Sequence, residues 1–153
     1  MIAKECYDLI KNAEGLELVA YLDSAGVPTD GYGNTHYALT NKRVKLGDTI
    51  TLEEAEAELV RDCEAVARDI WGIVKPSLND NETSALVSFV YNMGIGNFKS
   101  STMLQKLNVG DFHGAAEEFD RWVYAWDPKL KKMVKLAGLV TRRTKEKALF
   151  LKP

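Results

Sequence analysis

The sequence predicts an α+β protein, mostly helical, in which a small lobe carrying a β-hairpin and a larger helical lobe are joined by one long helix. Three observations predict it. Between Thr51 and Pro76, apolar residues recur every three or four positions (Leu52, Ala55, Leu59, Cys63, Val66, Ile70, Val74), the period of a helix with one buried face. Between residues 17 and 36 the pattern changes to the run Leu18-Val19-Ala20-Tyr21-Leu22, then Ser24-Ala25-Gly26-Val27-Pro28, then Gly31 and Gly33, which reads as a hairpin or small sheet with its turns. Beyond Pro76, helix-start residues follow one another at short intervals. A chain of 153 residues is long enough for one domain with a real core. The expected division is about 14–50 for the small lobe, 51–75 for the connecting helix and 76–153 for the helical lobe, with helix 2–13 packing near it.

In chain order, Ile2, Cys6, Leu9 and Ile10 stand at helical spacing, and Glu14 closes that helix. The hairpin follows. The stretch Tyr37–Gly47 is irregular, with a turn at Asn41-Lys42-Arg43. Thr51-Leu52-Glu53-Glu54 fits a capping box and opens the long helix of about 23 residues, roughly 35 Å at ~1.5 Å per residue. That length lets it span two lobes and back a groove. Asn79-Asp80-Asn81 caps a helix that ends near Met93, and Gly94-Ile95-Gly96 breaks it. Ser100 or Ser101 caps a short helix containing Leu104 and Leu107. Asp111 caps a helix through Trp122 that buries Ala115, Phe119, Trp122 and Val123. Trp126-Asp127-Pro128 opens a basic loop, and residues near 138–150 form the last helix.

The net charge of −2 lacks the electrostatic footprint of a nucleic-acid binder, so no nucleic-acid partner is expected. Attraction to an anionic surface would have to come from local patches, such as Lys129-Leu130-Lys131-Lys132 with Lys135. No apolar run is long enough to span a bilayer, and no cleavable signal is visible. Synthesis in the host cytoplasm is therefore expected, with no membrane insertion. Cys6 and Cys63 fall on apolar helix faces and read as two reduced, buried small hydrophobes; a disulfide is the alternative. His36 and His113 lack paired ligand spacing, so no metal site is expected, nor any cofactor.

Glu14, Asp23 and Thr29 place two carboxyls and a hydroxyl near one cleft. Two acids flanking a cleft are what hydrolysis of a glycosidic bond requires. Glu14 is the candidate general acid, because burial against Leu9, Ile10, Leu16 and Leu18 would raise its pKa and keep it protonated. The plain alternative is an exposed helix-terminal glutamate. Asp23, beside a turn, suits an ionised and partly solvated carboxylate, or equally an aspartate that caps its own loop. Thr29 would otherwise be an ordinary β-branched strand residue.

Glu14-Gly15, Ala20-Tyr21-Leu22-Asp23, Gly26-Val27-Pro28-Thr29 and Gly31-Tyr32-Gly33 resemble the Glu–Asp–Thr signature of the phage-type lysozymes, the endolysins of glycoside hydrolase family 24. Similar blocks follow at Asn92-Met93-Gly94-Ile95-Gly96, Phe98–Thr102, Arg121-Trp122-Val123 and Gly138–Arg143 with Glu146 and Ala148-Leu149-Phe150. The resemblance runs from about residue 9 to about residue 151. It implies a lysozyme-like two-lobed fold and a monomer acting on bacterial peptidoglycan in the periplasm after release or export. It also implies cleavage between N-acetylmuramic acid and N-acetylglucosamine, with Glu14 as acid and water positioned by Asp23 and Thr29, with inversion.

The resemblance further implies that Asn92 binds sugar, its amide able to donate and accept at once, and that Arg142 lies near Glu14. Local backbone bonding by Asn92 and a solvated Arg142 are the plain alternatives. Gly31 and Gly33 would let a glycan approach the backbone. Trp122, Trp126 and Tyr91 could stack on sugars, but core packing is the default. Two positions depart from the family pattern: Asp30 where an apolar residue is frequent, and Asn34 where a histidine is frequent. A third carboxyl could shift the others by repulsion, although strand alternation should point Asp30 away from Thr29. These departures leave open a non-catalytic peptidoglycan-binding module.

Overall fold

The computed structural model describes residues 1–37 and 39–153. The elements are helix α1 (Lys4–Glu14), strands β1 (Glu17–Leu22), β2 (Pro28–Gly31), β3 (His36–Tyr37) and β4 (Lys42–Arg43), then helices α2 (Leu52–Ile73), α3 (Asp80–Met93), α4 (Ile95–Lys99), α5 (Thr102–Asn108) and α6 (Phe112–Glu118). A 3₁₀ turn (Phe119–Arg121), strands β5 (Tyr124–Asp127) and β6 (Lys132–Lys135), and helix α7 (Ala137–Leu151) complete the chain.

The capping residues act as the sequence suggests. Thr51 Oγ1 accepts from Glu54 N and the Glu54 carboxylate reaches back to Thr51 N, closing both halves of the capping box. Asn79, Ser101 and Asp111 each accept a backbone N–H three residues on, satisfying donors that a helix start leaves unpaired.

α3 is the hub. All eight residues from Thr83 to Val90 are buried, the signature of a helix surrounded on every side. It packs against α1, α2 and α7. Phe89 on α3 meets Phe98, Phe119 and Trp122 edge-on at centroid distances of 6.4, 5.6 and 5.6 Å, the arrangement aromatic quadrupoles favour. Cys6 and Cys63 are free, fully buried thiols in this core.

The β-structure is three separate two-stranded antiparallel pairs, β1–β2, β3–β4 and β5–β6. Two-stranded pairs are marginal alone, and here the first leans on the helices. A Cβ at Gly31 would lie 3.2 Å from Ile50 Cδ1 and 3.6 Å from Ala55 Cβ, so β2 meets the start of α2 through a residue without a side chain.

Four expectations need correction. The break near Met93 is a single residue: Gly94, at φ 87°, turns the chain, and Ile95 and Gly96 are already helical. The helix expected through Trp122 ends at Glu118 and tightens into the 3₁₀ turn, a common way to finish a helix. Lys42 and Arg43, expected as part of a turn, pair as β4 with β3, and Asn41 makes the turn at φ 56°; Ala38 in that stretch lies outside the described residues. The basic loop expected after Trp126 is a hairpin, with Tyr124 opposite Lys135, Ala125 opposite Val134, Trp126 opposite Met133 and Asp127 opposite Lys132. Its turn forms because Asp127 Oδ1 accepts from Lys129 N and Leu130 N at 2.8 and 3.1 Å while Lys131 adopts φ 52°.

Candidate active site

Glu14 is the last residue of α1. Gly15, at φ 70°, reverses the chain directly into β1, so the carboxyl stands at the junction of helix and hairpin. Its side chain retains 29% exposure, and Arg142 Nη1 lies 3.8 Å from Oε1. On its other side is the Gly33 backbone: a Cβ there would sit 3.0 Å from Oε2. Burial pushes the Glu14 pKa above the ordinary carboxyl value, and the Arg142 charge pulls the other way without cancelling it. Leu16 and Leu18, expected to cover this carboxyl, are instead 38% and 39% exposed. The groups against it come from distant parts of the chain.

Arg142 belongs to a buried network on α7. Its Nε donates to Glu146 Oε2 at 3.2 Å and its Nη2 to the Ser88 carbonyl at 2.9 Å. Ser88 Oγ donates to the same Glu146 oxygen at 2.5 Å. Arg143 donates to the other Glu146 oxygen, to Asn92 Oδ1 and to the Trp122 carbonyl. Glu146 is fully buried, so a carboxylate far from water is held by two guanidiniums, the condition under which a buried charge is tolerable. Glu146 has no role assigned from the sequence. Its signal was the spacing from Arg143 and Arg142, three and four positions along a helix, where side chains meet.

Asp23 and Thr29 are carried by the β1–β2 hairpin. Tyr21 pairs with Thr29 and Leu22 with Pro28, so Thr29 shares a face with Tyr21. The Tyr21 hydroxyl is held above its ordinary pKa first by burial and then by the charges of Glu14, Glu17 and Asp23. Asp23 Oδ1 accepts from Ala25 N and Val27 N at 2.8 and 2.9 Å. It therefore does cap its own loop, and Oδ2 has no protein partner among the described residues. Thr29 is buried, and its Oγ1 donates to the Val27 carbonyl at 2.8 Å, which leaves the hydroxyl oxygen as an acceptor.

Asp30 and Asn34, the two departures from the family pattern, satisfy each other. They exchange backbone hydrogen bonds of 2.9 and 2.7 Å, Asn34 Nδ2 donates to Asp30 Oδ1 at 3.2 Å, and the Tyr37 hydroxyl donates to Oδ2 at 2.8 Å. The third carboxyl is thus committed to the turn after β2.

Glu14, Asn92 and Arg142 line one cleft of about 770 Å³, with Leu136, Ala137 and Gly138 on its other wall. Gly31 is buried against α2, whereas Gly33 touches the acid. Trp122 packs on Phe89, Trp126 is 60% exposed, and the Tyr91 hydroxyl donates to the Tyr32 carbonyl at 2.6 Å. Among the described residues, no cluster of His, Cys, Asp and Glu is arranged to hold a metal ion.

The family model for phage lysozyme matches residues 11–146. The chain is 45% identical over 143 residues to an endolysin of Acyrthosiphon pisum secondary endosymbiont phage 1, covering 93% of this chain and 92% of that one. It is 39% identical to a SAR-endolysin of Enterobacteria phage PA-2, over 90% of this chain and 77% of that one. Its fold superposes on the muramidase domain of SpmX from Asticaccaulis excentricus with a TM-score of 0.87 at 34% identity, covering 100% of this chain and 99% of that one. A match of this extent, over a cleft built on Glu14, means that the chain belongs to the phage lysozyme family and is a glycoside hydrolase acting on peptidoglycan.

Proposed function

We propose that the protein hydrolyses the β-1,4 bond between N-acetylmuramic acid and N-acetylglucosamine, with inversion. Glu14, protonated, gives its proton to the departing sugar oxygen. Asp23 Oδ2 takes a proton from the attacking water, and the Thr29 hydroxyl oxygen accepts the water's second hydrogen and fixes its approach. The bond from the anomeric carbon to the leaving oxygen breaks as the bond to water forms. Asn92 and Arg142 bind sugar hydroxyl and amide groups beside the acid, and Gly31 acts through the backbone that it lets pack on α2. The protein works as a monomer, is made in the host cytoplasm, and reaches the wall after release or export.

The observation that carries this reading is the environment of Glu14, a half-buried carboxyl with a raised pKa facing an open cleft. The committed state of Asp30 removes the main reason to read the chain as an inactive binding module. The test is the anomeric configuration of the first product from a defined glycan, followed by NMR before mutarotation. The reading requires the α-anomer at the new reducing end. A β-anomer would replace inversion with retention, and the absence of cleavage would reject the assignment.

A further inference from the structure

We propose that the β5–β6 hairpin docks this protein on the surface of an anionic phospholipid bilayer. The twelve residues Tyr124–Lys135 carry Lys129, Lys131, Lys132 and Lys135 against the single acid Asp127, a net charge of +3. The whole chain carries −2, so the remainder carries −2 − 3 = −5. Asp127 is turned inward on the loop, accepting from Lys129 N and Leu130 N. Among the described residues, none of the four lysines has an ion-pair partner, whereas Lys4, Lys11, Lys106, Lys147 and Lys152 each do.

The same segment exposes large apolar side chains: Trp126 at 60%, Leu130 at 59%, Met133 at 56% and Tyr124 at 48%. Trp126 and Met133 are directly paired across the strands, as are Tyr124 and Lys135, so these four share one face. Leu130 stands at the turn. An apolar strip ringed by unpaired lysines matches a surface that offers negative charge outside and hydrocarbon within. Tryptophan and tyrosine favour the level of the lipid headgroups, and lysines gain energy from anionic lipid close to the surface. A glycan strand would meet the lysines and the aromatic faces but gives Leu130 and Met133 nothing to bury against. No helix among the described residues is long and apolar enough to cross a membrane.

The test uses the whole protein with vesicles of ~70:30 phosphatidylcholine to phosphatidylglycerol, which carry a negative surface potential, and vesicles of phosphatidylcholine alone. Co-sedimentation and quenching of tryptophan by brominated acyl chains are the readouts. The wild type should partition at least ~100-fold better onto the anionic vesicles, and the preference should fall steeply as salt is raised. Replacing the four lysines with glutamine should remove that preference. Trp126→Ala should cost roughly tenfold and abolish most of the quenching. Thermal melts establish that each variant is folded, and the salt series on the unaltered protein tests the same claim without any variant. Equal partition onto both vesicle types, no partition at all, or full retention of binding by the folded four-lysine variant would overturn the proposal. Loss of the variants' sedimentation with isolated cell-wall sacculi, without any vesicle binding by the wild type, would reassign the hairpin to the wall.

Discussion

Glu14 and Asp23 stand nine positions apart in the sequence and are held by opposite means. Around Glu14 the supporting groups come from far along the chain: Arg142 on α7, Gly33 after β2, and through Arg142 the buried Glu146 and Ser88. Asp23 is fixed by Ala25 and Val27, two and four residues away, and Thr29 by Val27, two residues away. The contrast fits the chemistry proposed for each. An acid that stays protonated needs burial and a tuned neighbouring charge, which only tertiary packing supplies. A carboxylate that stays ionised needs water and a defined direction, which a local turn supplies.

The largest effect should come from cutting the long-range support. Glu146→Ala leaves Arg142 and Arg143 buried without their shared carboxylate, and breaking such a pair costs about 3–5 kcal/mol. Urea melts would measure it. A loss under about 1 kcal/mol would mean the network is solvated and the contrast with Asp23 false.

Next, Asp23→Asn keeps an oxygen to accept from Ala25 N and Val27 N but removes the negative charge. Lysis of cell walls should fall on the order of 100-fold, with the melting curve shifted by less than about 0.5 kcal/mol. A comparable loss of stability would mean that Asp23 serves the fold more than the reaction.

Gly33→Ala links the two regions. The new methyl would meet Glu14 Oε2 at 3.0 Å on a backbone at φ 81°, so roughly 1–2 kcal/mol of stability should be lost. Activity should drop with it as the carboxyl is displaced. Unchanged turnover would show that the acid has room to move.

The smallest effect lies away from the cleft mouth. On α2, Asp62 is pushed up to about 6, first by burial and then by the charge of Glu58, with Arg61 opposing. Because the folded value exceeds the ordinary 3.8, stability is lost as pH rises from about 4 through about 6. Asp62→Asn should therefore raise stability at pH 7 by roughly 1 kcal/mol and change nothing at pH 4. Calorimetry at the two pH values checks the sign.

The same divide separates what was legible in the sequence from what was not. The long helix, its capping box, the caps at Asn79, Ser101 and Asp111, and the first hairpin all rest on residues within a few positions of one another, and each formed as the pattern indicated. Asp23's loop was legible for the same reason. The hairpin after Val123 is not, because strands of only four residues interrupted by lysines carry little alternation and Asp127-Pro128 signals the opening of a loop as readily as a turn. Of the four residues expected around Glu14, Ile10 is fully buried and Leu9 lines the same cleft, whereas Leu16 and Leu18 are more than a third exposed. Periodicity gives which face of an element is apolar, but carries no information about which distant residue arrives there. That Arg142 stands beside Glu14 came from family resemblance alone, and nothing local pointed to Asn92 accepting from Arg143.

The central claim is that Glu14 is a proton donor held in a half-buried site at the cost of some stability. Glu14→Gln tests it most directly, with wall clearing and the melting temperature at pH 7 measured on the same preparation. Lysis should fall at least ~1,000-fold. The melting temperature should hold or rise, because the carboxyl's raised pKa means that its charge disfavours the folded state above that value. A folded Glu14→Gln protein that still clears walls would contradict the claim outright.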